Sequence, residues 1–197
     1  MDLHGVQTHE PGTVGDQSRE SAVVVPVIER DVPHLLFTKR AADLSNHPGQ
    51  MSFPGGRREP YDENLRETAI REAHEEVCLQ REVVSFVGRL DDIRTVTGFS
   101  VRPFVARAPD HEYEPCENEV AEIAVLSLPE LTDLDNYHGE YREHPHHGRL
   151  RVHYFYVDGY TVWGATARIL VQLLELTTDW RAPDIDDIVD ADADYPV

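Results

Sequence analysis

The sequence predicts an α/β domain in which a mixed β-sheet lies between helices. Three observations carry this reading. Short apolar runs rich in β-branched residues occupy residues 22–28 and 35–38, the length and composition of buried strands. A helix-period pattern surrounds Ile70, Ala73 and Val77, and a second one places Ile169, Leu170, Leu173, Leu174 and Leu176 on one side of residues 165–177. Two amphipathic helices flanking several strands bury their apolar faces most simply as layers on a sheet.

Taken in order, residues 1–20 carry Gly, Pro, Gln and Ser without periodicity and read as a mobile tail. The first two strands, at 22–28 and 35–38, are joined by a turn around Asp31, Val32 and Pro33. A loop then leads into the helix containing residues 70–77. Further strand-like runs follow at 83–90, 101–107, 119–126 and 150–157, the last alternating in part, before the helix at 165–177. Residues 181–197, with six Asp after Pro183, read as an acidic tail, which leaves 21–180 as the domain. No internal repeat is present.

A chain of 197 residues is long enough for one domain with a substantial core. Its net charge of −19 excludes a sequence-independent grip on nucleic acid, because neutralising phosphates requires Lys and Arg. The acidic excess also fits a protein that works in high salt, where repulsion is screened over about 3 Å at 1 M. Basic residues are scarce, so the group Lys39, Arg40, Arg57 and Arg58, on either side of Phe53-Pro54-Gly55-Gly56, stands out as a place for an anionic small molecule. Cys78 and Cys116 are the only cysteines, too few for a disulfide framework. No secretory pattern precedes them and no run approaches the length of a membrane span, which makes the cytoplasm the default location. His144, His146 and His147, with His138 and His153, match no zinc spacing and read as a surface loop. A homodimer is compatible with the chain, but nothing in it calls for one.

The chemistry concentrates in residues 71–77. At about 100° per residue, Glu72, Glu75 and Glu76 share an arc of roughly 100°, opposite Ile70, Ala73 and Val77. Carboxylates so close repel one another. Hard oxygen donors on one wall suit Mg²⁺ or Mn²⁺, which keep several waters and take other oxygens from substrate phosphates. Arg71 lies beside Glu75 on the wheel and is placed to orient it.

With Gly56 upstream, then Asp62 or Glu63, then Arg71-Glu72-Ala73, Glu75-Glu76 and Leu79, the pattern resembles the Nudix box. Two departures stand out. The interval from Gly56 to Arg71 is one residue longer than the general box, and Cys78 stands where the box ends in Gly, a position that often needs φ > 0. Leu35 to Ala41, leading through Leu44, His47, Gly49 and Gln50 to Ser52-Phe53-Pro54-Gly55-Gly56, is similar to the signature of the coenzyme A diphosphatase branch, with Ser45 where that signature usually has Arg. Segments 96–105, 119–123 and 162–170 resemble further parts of the same branch in the same order.

The resemblance implies the Nudix α/β/α sandwich and a Mg²⁺- or Mn²⁺-dependent cleavage of the diphosphate of coenzyme A or its derivatives, giving 3′,5′-ADP and 4′-phosphopantetheine. It implies Gly56, Glu72, Glu75 and Glu76 as metal ligands. Glu76 and Glu119 are both eligible as general base, and Glu75 and Arg71 complete the catalytic set. Lys39, Arg40, His47, Arg57 and Arg58 would hold phosphates. Phe53 and Phe99 read better as core than as pocket wall. Another nucleoside diphosphate derivative, such as ADP-ribose, or a binding module without turnover, are the competing readings; retention of all three box glutamates weighs against the second.

Overall fold

The computed structural model describes residues 1–15, 19–41, 49–95, 98–116, 119–144, 148–185 and 188–189. In chain order, the elements are α1 (His4–Thr8), β1 (Arg19–Glu29), β2 (Pro33–Arg40), β3 (Met51–Ser52), β4 (Gly55–Arg57) and α2 (Leu65–Val77). Strands β5 (Ser85–Arg89), β6 (Ile93–Arg94), β7 (Phe99–Ala108) and β8 (Val120–Ser127) follow, then α3 (Leu128–Thr132). The chain continues through β9 (Tyr137–His144), β10 (Gly148–Val157), β11 (Tyr160–Trp163), α4 (Gly164–Thr177) and β12 (Ile188–Val189).

The larger sheet runs β3-β2-β1-β7-β5, with β4 also on β1, β6 on β7 and β8 on β2. It is mixed, because β1 and β7 are parallel from Arg19↔Phe99 to Ile28↔Ala108 while β1 and β2 are antiparallel. Strand alternation divides the core in two. Ala22, Val24 and Leu36 pack with Leu65, Ala69, Ala73 and Val77 of α2. Val25, Val27, Leu35 and Phe37 face the other way, toward Ile169, Leu170, Leu173 and Leu174 of α4. The α/β/α sandwich is therefore built by period-two strands presenting apolar side chains to both helical layers.

Three expectations change. The first twenty residues are not a free tail over the described part: Leu3 and Val6 are buried in the α4-side core, and His9 and Gly12 both bond Asp91. A five-residue helix with one apolar side chain, preceded by Leu3, is too short to register as a period. Second, β9 and β11 join β10 in a smaller sheet, β11-β10-β9-β12, that the sequence did not announce, because β9 reads Tyr-His-Gly-Glu-Tyr-Arg-Glu-His with little apolar content. His138 and His153 therefore lie on strands rather than in a surface loop; His153 is buried against the Tyr137 hydroxyl at 2.8 Å, and His146 and His147 lie outside the described residues. Third, Cys78 and Cys116 are joined as a disulfide. No helix among the described residues is long and apolar enough to cross a membrane.

Candidate active site

Helix α2 begins with a firm cap. Asn64 is extended and its side chain accepts from the amides of Arg66 and Glu67, two of the donors a helix start leaves unpaired. The helix ends at Cys78, in the left-handed region at φ 54°, with the amides of Cys78 and Leu79 returning to His74 and Ala73. Cys78 thus adopts the conformation that Gly would take more easily.

Between these ends, Glu72 and Glu76 line a cavity of about 890 Å³. They reach it because Gly55 and Gly56 of β4 put no side chain in the way: a Cβ on Gly56 would collide with the Glu72 carboxylate, and one on Gly55 with the β1 backbone at Ala22 and Val23. Glu76 is buried and accepts from the Gly55 amide at 3.1 Å. Burial pushes its carboxyl up to about 8, against the pull of the Gly55 amide and Arg40 and with added repulsion from Glu72 and Glu119. The three box acids therefore do not share one solvated face. Glu75 is held to one side by Arg71, 2.8 Å away, and does not line the cavity.

Arg71 is a buttress. Its guanidinium spans both oxygens of Asp62 at 3.0 and 3.1 Å, bonds Glu75, pairs with Glu72 at 3.0 Å and donates to the Arg57 carbonyl. The sequence left Asp62 and Glu63 both open for the first acidic position; Asp62 takes it, buried beneath Arg71, while Glu63 is exposed. The bonds from Arg71 first, then those from the Glu59 amide and Thr68, hold Asp62 down at about 2 despite burial.

Arg40 and Glu119 form a 3.6 Å pair that lines the same cavity, and both act on the charge of Glu76. Arg57 also lines the cavity. Arg58 turns away to Glu20 at 2.7 Å, and Lys39 lies against Glu122 and the Tyr160 ring, so neither lines it. His47 and Ser45 lie outside the described residues. Phe53 is core, stacked on Phe37 at 4.6 Å between centroids, although its edge reaches the cavity. Phe99 is half-buried and lines the cavity, as does Arg19, which no motif singled out. Thr166 of α4 donates to the Met51 carbonyl and ties the last helix to β3.

The donor set fits a hard divalent cation. Glu72 and Glu76, with Gly56 packed against the Glu72 carboxylate and Glu119 lining the same cavity, offer only oxygen. Burial first, and then repulsion from Glu72 and Glu119, raise the Glu76 carboxyl, and a cation between these acids would oppose both. Among the described residues, no group of three or more His, Cys, Asp or Glu side chains is placed to hold a metal ion by itself.

A mixed sheet between helices, with a carboxylate helix reaching past a Gly-Gly strand into a nucleotide-sized cavity, is the frame of a diphosphate-cleaving Nudix enzyme. The NUDIX domain matches residues 18–147, and the chain belongs to that family of hydrolases acting on phosphoric anhydride bonds of nucleoside diphosphate derivatives. It is 42% identical over 159 residues to a protein described as an uncharacterized Nudix hydrolase NudL from Enterobacter sp. (strain 638), covering 79% of this chain and 81% of the relative. The similarly described protein of Yersinia enterocolitica is 36% identical over 173 residues, covering 86% and 87%. Among solved structures, the Nudix hydrolase RenU of M. smegmatis overlays with a TM-score of 0.49 at 21% identity, covering 58% of this chain and 73% of that one. Family members generally use divalent metals such as Mg²⁺ or Mn²⁺.

Proposed function

We propose that this chain hydrolyses the diphosphate of coenzyme A or its derivatives to 3′,5′-ADP and 4′-phosphopantetheine or its acyl form. The observation that supports this is where the branch-like segments converge. Arg40, Gln50, Ser52, Phe53, Gly55 and Gly56 from residues 35–56, Phe99 and Val101 from 96–105, Glu119, and Ala165 and Thr166 from 162–170 all line one cavity with Glu72 and Glu76. Segments more than a hundred residues apart in sequence share that wall only if they serve one ligand or one packing need, and the cavity side chains are too polar for packing alone.

In this reading Glu72 and Glu76 hold Mg²⁺ or Mn²⁺, with Gly56 offering its carbonyl. The bound ion supplies charge neutralisation at the phosphoryl oxygens and acidifies water. The substrate diphosphate lies by the acids of α2 and Arg40, with Arg40 on its oxygens. Glu119, which lines the cavity with the acids of α2, takes the proton of the attacking water. Asp62 and Arg71 fix Glu72, and Arg71 draws Glu75 aside, where it is available to a second ion.

The test is product analysis by chromatography and mass spectrometry after incubation with coenzyme A, ADP-ribose and NADH, each with Mg²⁺ or Mn²⁺. 3′,5′-ADP with 4′-phosphopantetheine, lost in Glu76→Gln and reduced in Glu119→Gln, is the expected result. AMP from ADP-ribose with intact coenzyme A would overturn the substrate assignment and keep the chemistry.

A further inference from the structure

The sheet separates two kinds of arginine. Off the cavity stand Arg58, just past β4 and paired with Glu20 of β1 at 2.7 Å, and Arg102 of β7, gripped by Asp92 at 2.7 and 2.8 Å. On the cavity side of β1, β4 and β7 stand Arg19, Arg57 and Phe99. The register explains why they meet: Arg19 is opposite Phe99 across the parallel β1–β7 ladder, and Arg57 is opposite Ser21, two residues along β1 on the same face. The Arg57 guanidinium carbon lies 4.9 Å from the Phe99 ring centre and that of Arg19 5.5 Å. Both are within cation–π range. Neither guanidinium has a carboxylate within ion-pair distance among the described residues.

In a chain with 37 acids and 18 cations, two cations that converge on a ring inside a cavity, without an acid, are an unusual arrangement. The ring orients them but removes none of their charge, and two like charges this close repel unless an anion joins them. The cleaved diphosphate belongs by the acids of α2 and Arg40. We propose that Arg19 and Arg57, ordered by Phe99, form a second anion site, which takes a phosphomonoester that the substrate carries elsewhere than on the diphosphate. This rests on the reading above and assigns its specificity to residues: Arg19 discriminates between nucleotide diphosphates with and without the additional phosphate.

Matched substrate pairs test it: coenzyme A against dephospho-coenzyme A, and NADPH against NADH, with the parent, Arg19→Gln and Arg19→Lys. The parent is expected to favour the phosphorylated member of whichever pair it cleaves. Arg19→Gln is expected to lower kcat/KM for that member about ten- to hundredfold, mainly through KM, as loss of one charge-assisted contact requires. The ratio within the pair then falls toward one, and Arg19→Lys restores part of it. An equal loss on both members, or an unchanged ratio, overturns the proposal even if coenzyme A is the substrate. Cleavage of the NADPH pair alone would remove the coenzyme A reading while still deciding this one. If no pair turns over, calorimetric binding of 3′,5′-ADP against AMP decides: tighter binding of 3′,5′-ADP that Arg19→Gln abolishes supports the site, and equal binding overturns it.

Discussion

Glu76 is where catalysis and stability oppose each other. Its carboxylate is buried beside Glu72, and without a cation the folded state holds its proton up to about 8, far above the ordinary value of 4.5. The folded chain thus binds more protons than the unfolded chain between these values, and the stability of the metal-free protein falls as pH rises through that window. Glu76→Gln keeps an oxygen for the Gly55 amide and removes the buried charge. Turnover should fall by about a thousandfold or more. In chelator at pH 9 the variant should be about 1–3 kcal/mol more stable than the parent, whereas added Mg²⁺ should stabilise only the parent. Denaturant melts with and without metal check both arms, and a parent whose metal-free stability is flat from pH 5 to 9 would refute the argument. Asp62 has the opposite sign. Its folded value is near 2 against 3.8, so its stabilisation is present above about 4 and is lost as pH falls through 2. Asp62→Asn should cost about 2 kcal/mol at pH 7, with the gap to the parent closing below pH 4; a gap constant down to pH 2 would show that packing, not charge, holds Arg71.

At the scale of elements, α2 is fixed at both ends, and its C-terminal end carries two separable effects. The disulfide closes a loop of 38 residues and, with the Cys116 amide on the Glu76 carbonyl, fastens the approach to β8 against the catalytic helix. Chain entropy assigns such a loop about 3–4 kcal/mol. Separately, a non-Gly residue in the left-handed region costs roughly 1 kcal/mol. Cys78→Ser with Cys116→Ser should lose the first amount, and Cys78→Gly with Cys116→Ser should recover about 0.5–1 kcal/mol of it, less than the full strain because Gly loosens the unfolded chain. Thermal melts of the two variants beside the oxidised and reduced parent separate the effects; identical variants would mean that the left-handed cap carries no strain. These elements also show what the sequence could display. The helix, its inward face and the place of Gly56 followed from local spacing, because a period of 3.6 residues and a missing side chain are local facts. The strands at 22–28 and 101–107 were legible too, but their parallel pairing was not. Arg19 was passed over and Phe99 was read as core rather than cavity wall, because the two meet through a register eighty residues apart in sequence. Strand β9 was invisible because a sheet over a modest core needs few apolar residues, and the bridge because two cysteines so spaced carry no pattern.

For the whole molecule, the charge balance sets the response to salt. Exposed pairs such as Arg30–Asp110, Arg107–Glu29 and Arg149–Glu143 contribute at most about 1 kcal/mol each and weaken as salt rises. Against them stands a surplus of 19 negative charges, which no rearrangement of 18 cations can neutralise. The screening length shrinks from about 10 Å at 0.1 M to about 3 Å at 1 M. Repulsion across the folded surface therefore falls more than attraction within the pairs, since the surplus acts over longer distances than contacts near 3 Å. The midpoint of thermal unfolding should rise by about 5 °C or more between 0.1 and 2 M KCl. Chloride is the right anion for the test, because sulfate would strengthen apolar burial and raise the midpoint of nearly any protein. The same salt should weaken the grip of Arg19, Arg40 and Arg57 on phosphates, so KM should climb while stability improves. A midpoint that falls with KCl would mean that the paired cations, not the surplus acids, govern the fold.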